Sequence, residues 1–347
     1  MKRPVVVKLG SSLVAGPRGR IRRSVLASRA REIAVLVRAG TPVCVVSSGA
    51  IALGLPRLGI GRRPTSLPRL QAASALGQAK LQAAWDGALA REGIAAGQVL
   101  LTASDVADRA AYVNARHTLQ TLFELGAVPV VNENDATATD EITFGDNDAL
   151  AAQVALLVGA RLLVLLTEVP GVFTQAPGTP GAELVEDGGA ATGAVVGKGS
   201  AVGKGGMGSK ILAAELAASA GIRTVIAGGA EPDVLGPIVA GEGRGTRFAP
   251  DAGALPAFKL WILHGKPVAG RIHLDEGARQ AVAAEGASVL AIGVAATEGQ
   301  FEPGDAVELV GPDGRAFAKG IAGASSRDLD GRPHGVEAVH RDRLVLF

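Results

Sequence analysis

One cysteine, Cys44, stands in a chain of 347 residues. An intrachain disulfide is therefore excluded, and a chain that does without one reads as cytosolic. Cys44 lies within Val43–Cys44–Val45–Val46, an apolar run read as a buried strand. No apolar stretch reaches the ~18 residues of a membrane span, because Arg161 divides the best candidate. The start, Met1-Lys2-Arg3, has the charge of a signal peptide, but Lys8 interrupts the apolar run that follows. These absences predict a soluble cytoplasmic protein with no membrane partner. The net charge is only +2, so bulk electrostatics promise no polyanion partner. The histidines (His117, His264, His273, His334, His340) show no metal-like spacing, and no metal ligand is assigned. No G-x-S-x-G elbow occurs, so neither a nucleophile nor a general base can be named.

What is present is a globular composition, 48% hydrophobic and 20% charged, in a chain longer than one comfortable core. Glycine is abundant, at 48 residues, which suits tight turns and close approach of backbone to ligand. Apolar strands are expected at Pro4–Leu9, Val43–Ser47, Val99–Leu101, Val128–Val131, Leu162–Leu166 and Thr224–Ala227. Helices are expected from Ser24, as cap, to Ala39, from Arg69 to Arg91, from Asn114 to Leu125, and from Ser209 to Ala220. This alternation predicts an α/β fold, a mostly parallel sheet sandwiched by helices, with ligands beyond the carboxyl ends of the strands. After about Pro250 the texture changes to short segments between turns such as Pro303–Gly304 and Pro312–Asp313–Gly314. We therefore expect a first domain at 1–250, a linker at 251–257 and a small β-rich domain at 258–347.

Polar clusters follow four of the strands: Gly10–Ser12, Ser47–Ala50, Asn132–Asp135 and Thr167–Glu168. The densest stretch joins Asn132–Glu133–Asn134–Asp135 to Gly145–Asp146–Asn147–Asp148. Carboxylates and amides so crowded suit a cation, an ammonium group or a polar ligand, or else a solvated acidic loop leading into a helix cap. Lys8-Leu9-Gly10-Ser11-Ser12 puts an ammonium at a strand end beside free loop N–H groups, a phosphate cradle or simply a solvated lysine. Gly203-Lys204-Gly205-Gly206-Met207-Gly208-Ser209-Lys210 opens a helix and contains G-x-G-x-x-G. It reads as a dinucleotide fingerprint, a hinge, or a glycine loop carrying lysines over phosphates. Against the fingerprint, Gly197–Val202 before it is not a strand and four strands precede it; a Walker A is excluded because Gly205, not a hydroxyl residue, follows Lys204. The missing general base fits one reaction well. A carboxylate acceptor is already ionised at pH 7, so phosphoryl transfer to it needs only alignment and charge neutralisation.

Taken together, these motifs resemble the glutamate 5-kinases of the amino acid kinase family. The resemblance rests on Val7–Ser12, Ser47–Ala52, Asn132–Asp135, Phe144–Asp148, Leu165–Glu168 and Gly205–Lys210, and residues 257–347 look like a PUA domain. It implies ATP-dependent phosphorylation of the L-glutamate side-chain carboxylate to γ-glutamyl phosphate, for proline synthesis, with Mg²⁺ bridging the phosphates. By position it makes Lys8, Lys210 and Asp148 catalytic, and Ser48, Gly49, Ala50, Asp135 and Asn147 glutamate-binding. Lys8, Gly10, Ser11, Thr167, Glu168, Lys204, Gly205, Gly206, Met207, Gly208, Ser209 and Lys210 would meet ATP. It further implies feedback inhibition by proline and a homo-oligomer, dimer or tetramer. Two positions depart from the family pattern: Glu168 replaces an aspartate and Lys204 a threonine. PUA domains suggest RNA by analogy. Residues 258–347 nevertheless hold 10 Lys and Arg against 12 Asp and Glu, and no RNA partner is expected.

Overall fold

The computed structural model describes the chain apart from Met1 and residues 139–145, 197–205, 252–258, 260–261, 264–267 and 332. Two compact units emerge: Met1–Asp105 with Arg109–Ala254, and Val106–Asp108 with Leu255–Phe347.

In the first unit the strands are β1 (Val5–Leu9), the short hairpin β2 (Ala15–Gly16) and β3 (Arg20–Ile21), β4 (Val43–Ser47), β5 (Ala96–Leu101) and β6 (Val128–Glu133). Then come β7 (Leu162–Thr167), a second hairpin of β8 (Val172–Phe173) and β9 (Leu184–Val185), β10 (Arg223–Gly228) and β11 (Thr246–Phe248). Seven of these make one sheet in the order β11-β10-β7-β1-β4-β6-β5. All pairings are parallel except that of edge strand β11 with β10. A parallel sheet covered on both faces requires strands that are apolar throughout, and every residue of β1 and β4 is buried.

Alternation along β1 sorts its side chains between two layers. Val5, Val7 and Leu9 join a core with Leu26 and Ile33 of the helix Arg23–Arg38 and with Leu81, Trp85 and Leu89 of the helix Leu67–Ala90. The Trp85 indole Nε1 donates to Ser47 Oγ at 2.9 Å, satisfying the one polar atom this large side chain brings inside. Val6 and Lys8 face the other layer, where the helices Asp146–Leu157 and Met207–Ser219 pack together. Leu9 lies opposite both Ser47 of β4 and Leu166 of β7, so the carboxyl ends of these strands are flush. Their following loops are neighbours for that reason.

Some elements differ from expectation. The first long helix begins at Arg23, with Arg22 as a cap that makes no side-chain bond; Ser24 lies inside the first turn. The preceding hairpin decides this, because Arg22 N–H is tied to Val14 O at 2.9 Å. β6 runs on through the polar Asn132 and Glu133 because β5 continues to pair with it there. Strand β11 and the helix Ala50–Gly54 had no clear sequence signal.

The second unit contains β12 (Val268–Leu274), a helix at Glu276–Glu285, and β13 (Val289–Leu290), β14 (Val294–Gly299), β15 (Ala306–Val310), β16 (Ala316–Ala322) and β17 (Glu337–Leu346). Its sheet has the order β13-β17-β16-β15-β12-β14, antiparallel except for β12 beside β15. Asp275 caps the helix by accepting from Ala278 N–H at 2.8 Å, and Gly286 (φ 63) closes it. A separate core of Ile272, Leu274, Val307 and Leu309 supports this sheet. The linker expected at 251–257 lies, beyond Asp251, outside the described residues.

Candidate active site

A cleft of about 420 Å³ opens at the carboxyl ends of β1, β4, β6 and β7. Its centre is an ion triad. Asp148, in the first turn of the helix Asp146–Leu157, accepts from Lys8 Nζ on Oδ1 at 2.5 Å. Its Oδ2 accepts from Lys210 Nζ at 3.2 Å and from Ser209 Oγ at 2.8 Å. The two lysines come from 140 positions before and 62 positions after Asp148. Relative exposures are 3% for Lys8, 0% for Asp148 and 8% for Lys210, which disposes of the solvated-loop alternative.

Charges so deeply buried persist only through mutual compensation. Burial opposes ionisation of Asp148, but Lys8 first and Lys210 second outweigh it and hold the carboxyl below its usual range. Burial pushes the Lys8 ammonium down; Asp148 restrains that fall and Lys210 adds to it. With two ammonium groups against one carboxylate, the cluster keeps an excess positive charge beside the cleft, which favours an anion there. Lys210 Nζ also reaches Gly206 O at 3.2 Å, tying the helix start to the loop before it. Gly206 itself sits at φ 90, a backbone conformation that only glycine adopts without strain.

On the opposite wall, Gly49 (φ 117) turns the chain from β4 into the helix Ala50–Gly54, leaving Ser48 and Gly49 on the cleft. Asp135 accepts from Ser74 Oγ at 2.5 Å and also lines the cleft. Among the described residues Asn147 Oδ1 is buried without a hydrogen-bond partner, and Asn147 borders the same space. Buried acceptors are rarely left unpaired, so this one is a natural seat for a ligand N–H.

Of the residues singled out in the sequence, Lys8, Gly10, Ser11, Ser48, Gly49, Asp135, Asn147, Asp148, Thr167, Gly206 and Lys210 border the cleft. Ser209 bonds Asp148 from behind. Ala50, Met207 and Gly208 do not line it. Lys204 and Gly205 lie outside the described residues. Glu168 is exposed and paired with Arg22 at 3.5 Å, away from the cleft wall. The fingerprint reading of the 203–208 glycines requires a strand before them; the last described element there is the helix Gly188–Val196. Sequence reasoning passed over Leu55 and Arg63, both on the cleft wall, and gave Ile51 and Ala52, inside the Ser47–Ala52 motif, no role there. No motif marks Leu55 and Arg63, because they enter through the packing of the segment after the helix Ala50–Gly54. Among the described residues no group of three or more His, Cys, Asp or Glu is arranged to hold a metal ion. Nor is any described helix long and apolar enough to cross a membrane.

The chain matches the amino acid kinase family over residues 3–228 and the PUA domain over residues 270–341. A glutamate 5-kinase of Burkholderia mallei (strain SAVP1) is 44% identical over 99% of this chain and 97% of its own length. The chain belongs to the amino acid kinase family, among the glutamate 5-kinases. A second relative in this family, the glutamate 5-kinase of Cupriavidus metallidurans, is 43% identical over the same shares of the two chains. Among solved structures, a UMP kinase from Bacillus anthracis superposes with a TM-score of 0.50. It covers 72% of this chain and 97% of that one at 19% identity, a likeness of fold alone. Family membership makes this chain a kinase that uses ATP.

Proposed function

We infer that the chain phosphorylates the side-chain carboxylate of L-glutamate with ATP, giving γ-glutamyl phosphate, the first step of proline synthesis. The carrying observation is the triad: two ammonium groups from opposite ends of the unit meet on one buried aspartate at the head of the cleft. A carboxylate oxygen of glutamate attacks the γ-phosphorus, the new O–P bond forms, and the bond to the β–γ bridging oxygen breaks. ADP leaves with the electron pair, and no proton has to move. Lys8 and Lys210 offset the charge on the transferring group, and Asp148 positions both.

Gly10, Ser11 and Gly206, with Thr167, sit where backbone and hydroxyl groups could cradle the nucleotide phosphates. Lys204 and Gly205, outside the described residues, and Met207, Gly208 and Ser209, at the start of the helix Met207–Ser219, are proposed as further nucleotide contacts. Asp135 and the free Asn147 Oδ1 suit the glutamate ammonium, while Ser48, Gly49 and Ala50 at a helix start suit its α-carboxylate. Glu168, turned toward Arg22, gains no support as a nucleotide contact from its position. We assign Mg²⁺ to the nucleotide substrate, held by phosphate oxygens and water as is usual for this ion. The protein oxygens of the triad are already taken by Lys8, Ser209 and Lys210, so no step here runs through a protein-held metal.

The decisive test is Lys210→Ala. Turnover is expected to vanish while circular dichroism stays unchanged; near-normal activity in that variant would overturn the mechanism. Turnover compared on glutamate, aspartate and uridylate separates this reading from its neighbours in the same fold, with glutamate expected to dominate. We extend the proposal to proline inhibition, a dimeric or tetrameric assembly and a cytoplasmic location, resting on the family resemblance. Proline titration of the turnover, light scattering of the purified chain and cell fractionation test the three in turn. We also place the domain boundary within 251–257 and give the PUA unit a structural or regulatory role, which limited proteolysis and truncation test.

A further inference from the structure

A second cavity, of about 250 Å³, lies away from the triad, between the start of the helix Arg23–Arg38 and the second half of the helix Leu67–Ala90. Its apolar surface comes from Ile21, Leu26, Ala83, Ala84 and Ala88, with Gly87 opening the middle. Three cations, Arg23, Lys80 and Arg91, complete the lining, and no acidic residue does. Lys80 Nζ donates to Gly19 O at 2.9 Å. Among the described residues the exposed side chains of Arg23 and Arg91 make neither a hydrogen bond nor an ion pair. The carboxylates of the flanking helices are turned elsewhere. Glu32 is bound to Arg29 and to the N–H groups of Asp233, Val234 and Leu235, and Glu92, just past the second helix, pairs with Arg38. On the helix Leu67–Ala90 the positions 80, 83, 84, 87 and 88 share one face, which the cap residue Arg91 continues, and Asp86 falls outside it.

Arg23 is also the first residue of a 16-residue helix whose N-terminus carries no side-chain cap. The helix dipole therefore adds to the positive field at this edge of the cavity. Arg23 and Arg91 are exposed at the rim of this apolar floor, and an anion between them would be attracted by both. A cavity of this size is smaller than the roughly 300–1,000 Å³ of pockets that take drug-sized ligands. We propose that this cavity is a binding site for a small phosphate monoester whose organic body is apolar, the body lying over Gly87 and the phosphate between Arg23 and Arg91. Guanidinium groups suit this task because their paired N–H donors match phosphate oxygens two at a time.

Gly87 supplies a clean control. A Cβ built there meets nothing within 4 Å, so a side chain at this position starts into open space. The experiment is calorimetric titration of the full chain with phenyl phosphate, with and without saturating ATP, glutamate being left out so that no turnover occurs. We expect binding that persists when the catalytic cleft is filled, is weakened about tenfold or more by Arg23→Ala with Arg91→Ala, and is lost in Gly87→Leu. Both variants are expected to keep normal glutamate-dependent turnover, which shows that they are folded. Displacement of phenyl phosphate by ATP, or unchanged affinity in folded Gly87→Leu, would overturn the proposal. Inorganic phosphate binding as tightly as phenyl phosphate would do the same, since the apolar floor would then contribute nothing.

Discussion

At the scale of the residue, Asp148 carries the heaviest electrostatic duty. Asp148→Asn keeps the shape but strands two buried ammonium groups, and breaking such a pair typically costs about 3–5 kcal/mol. Urea denaturation at pH 7 is expected to show a loss of that order, and turnover is expected to fall about 100-fold or more. The pH dependence has a definite sign. Asp148 has a folded pKa below its unfolded value of about 3.9, so its contribution is complete above that value. It is lost as pH falls through the folded pKa. The stability gap between the native chain and Asp148→Asn should therefore be widest near neutrality and shrink below about pH 4. Equal gaps at pH 7 and pH 3 would contradict the assigned direction. The residue types at Lys8, Asp148 and Lys210 were conspicuous in the sequence. Their meeting on Asp148 was implied by the family resemblance alone, because nothing local encodes a contact across 140 positions.

At the scale of the element, the helices Ala50–Gly54 and Leu67–Ala90 meet backbone to backbone. A Cβ on Gly77 would lie 1.7 Å from Ala50 O, and one on Gly54 would lie 1.8 Å from Ala73 O. Alanine ordinarily improves a helix interior over glycine by about 1 kcal/mol. At Gly77 the forced separation costs about 1–3 kcal/mol and outweighs that gain. Gly77→Ala is thus expected to lower the melting temperature and to raise KM for glutamate, since Ile51 and Ala52 line the cleft. On the same helix, Gly87→Ala has open space and should instead stabilise by about 0.5–1 kcal/mol. Thermal melts of the pair, run side by side, read the contrast directly. Apolar runs made six of the seven strands of the large sheet and four of its longer helices legible beforehand. The Gly54–Gly77 contact was not legible, because close approach of backbones leaves no hydrophobic pattern. The start of the helix Arg23–Arg38 was likewise set by a tertiary tie, Arg22 N–H to Val14 O, rather than by Ser24.

At the scale of the whole molecule, each unit holds its own buried core, Leu9, Ile33 and Trp85 in the first and Ile272, Val307 and Leu309 in the second. A chain ending at Ala254 contains the entire cleft and triad. It is expected to keep its fold by circular dichroism and glutamate-dependent turnover of the same order as the full chain. Residues 258–347 carry 12 Asp and Glu against 10 Lys and Arg, and Arg271 is drawn to Glu308 at 2.9 Å. Filter binding of single-stranded RNA to the full chain should therefore show no salt-dependent affinity attributable to residues 258–347.

What the sequence determined alone was six of the seven strands of the large sheet, their alternation with helices, and the placing of polar loops after strand ends. All of these follow from short-range periodicity and turn chemistry, which are written in neighbouring residues. What only the tertiary structure decided was which charges share an atom and which face of a helix is open. It set Glu168 on Arg22 instead of the cleft, brought Arg63 and Leu55 to the wall, and joined Lys8 to Lys210 through Asp148. Strand order and register place those groups in space, and register is a property of paired strands, never of one segment read by itself.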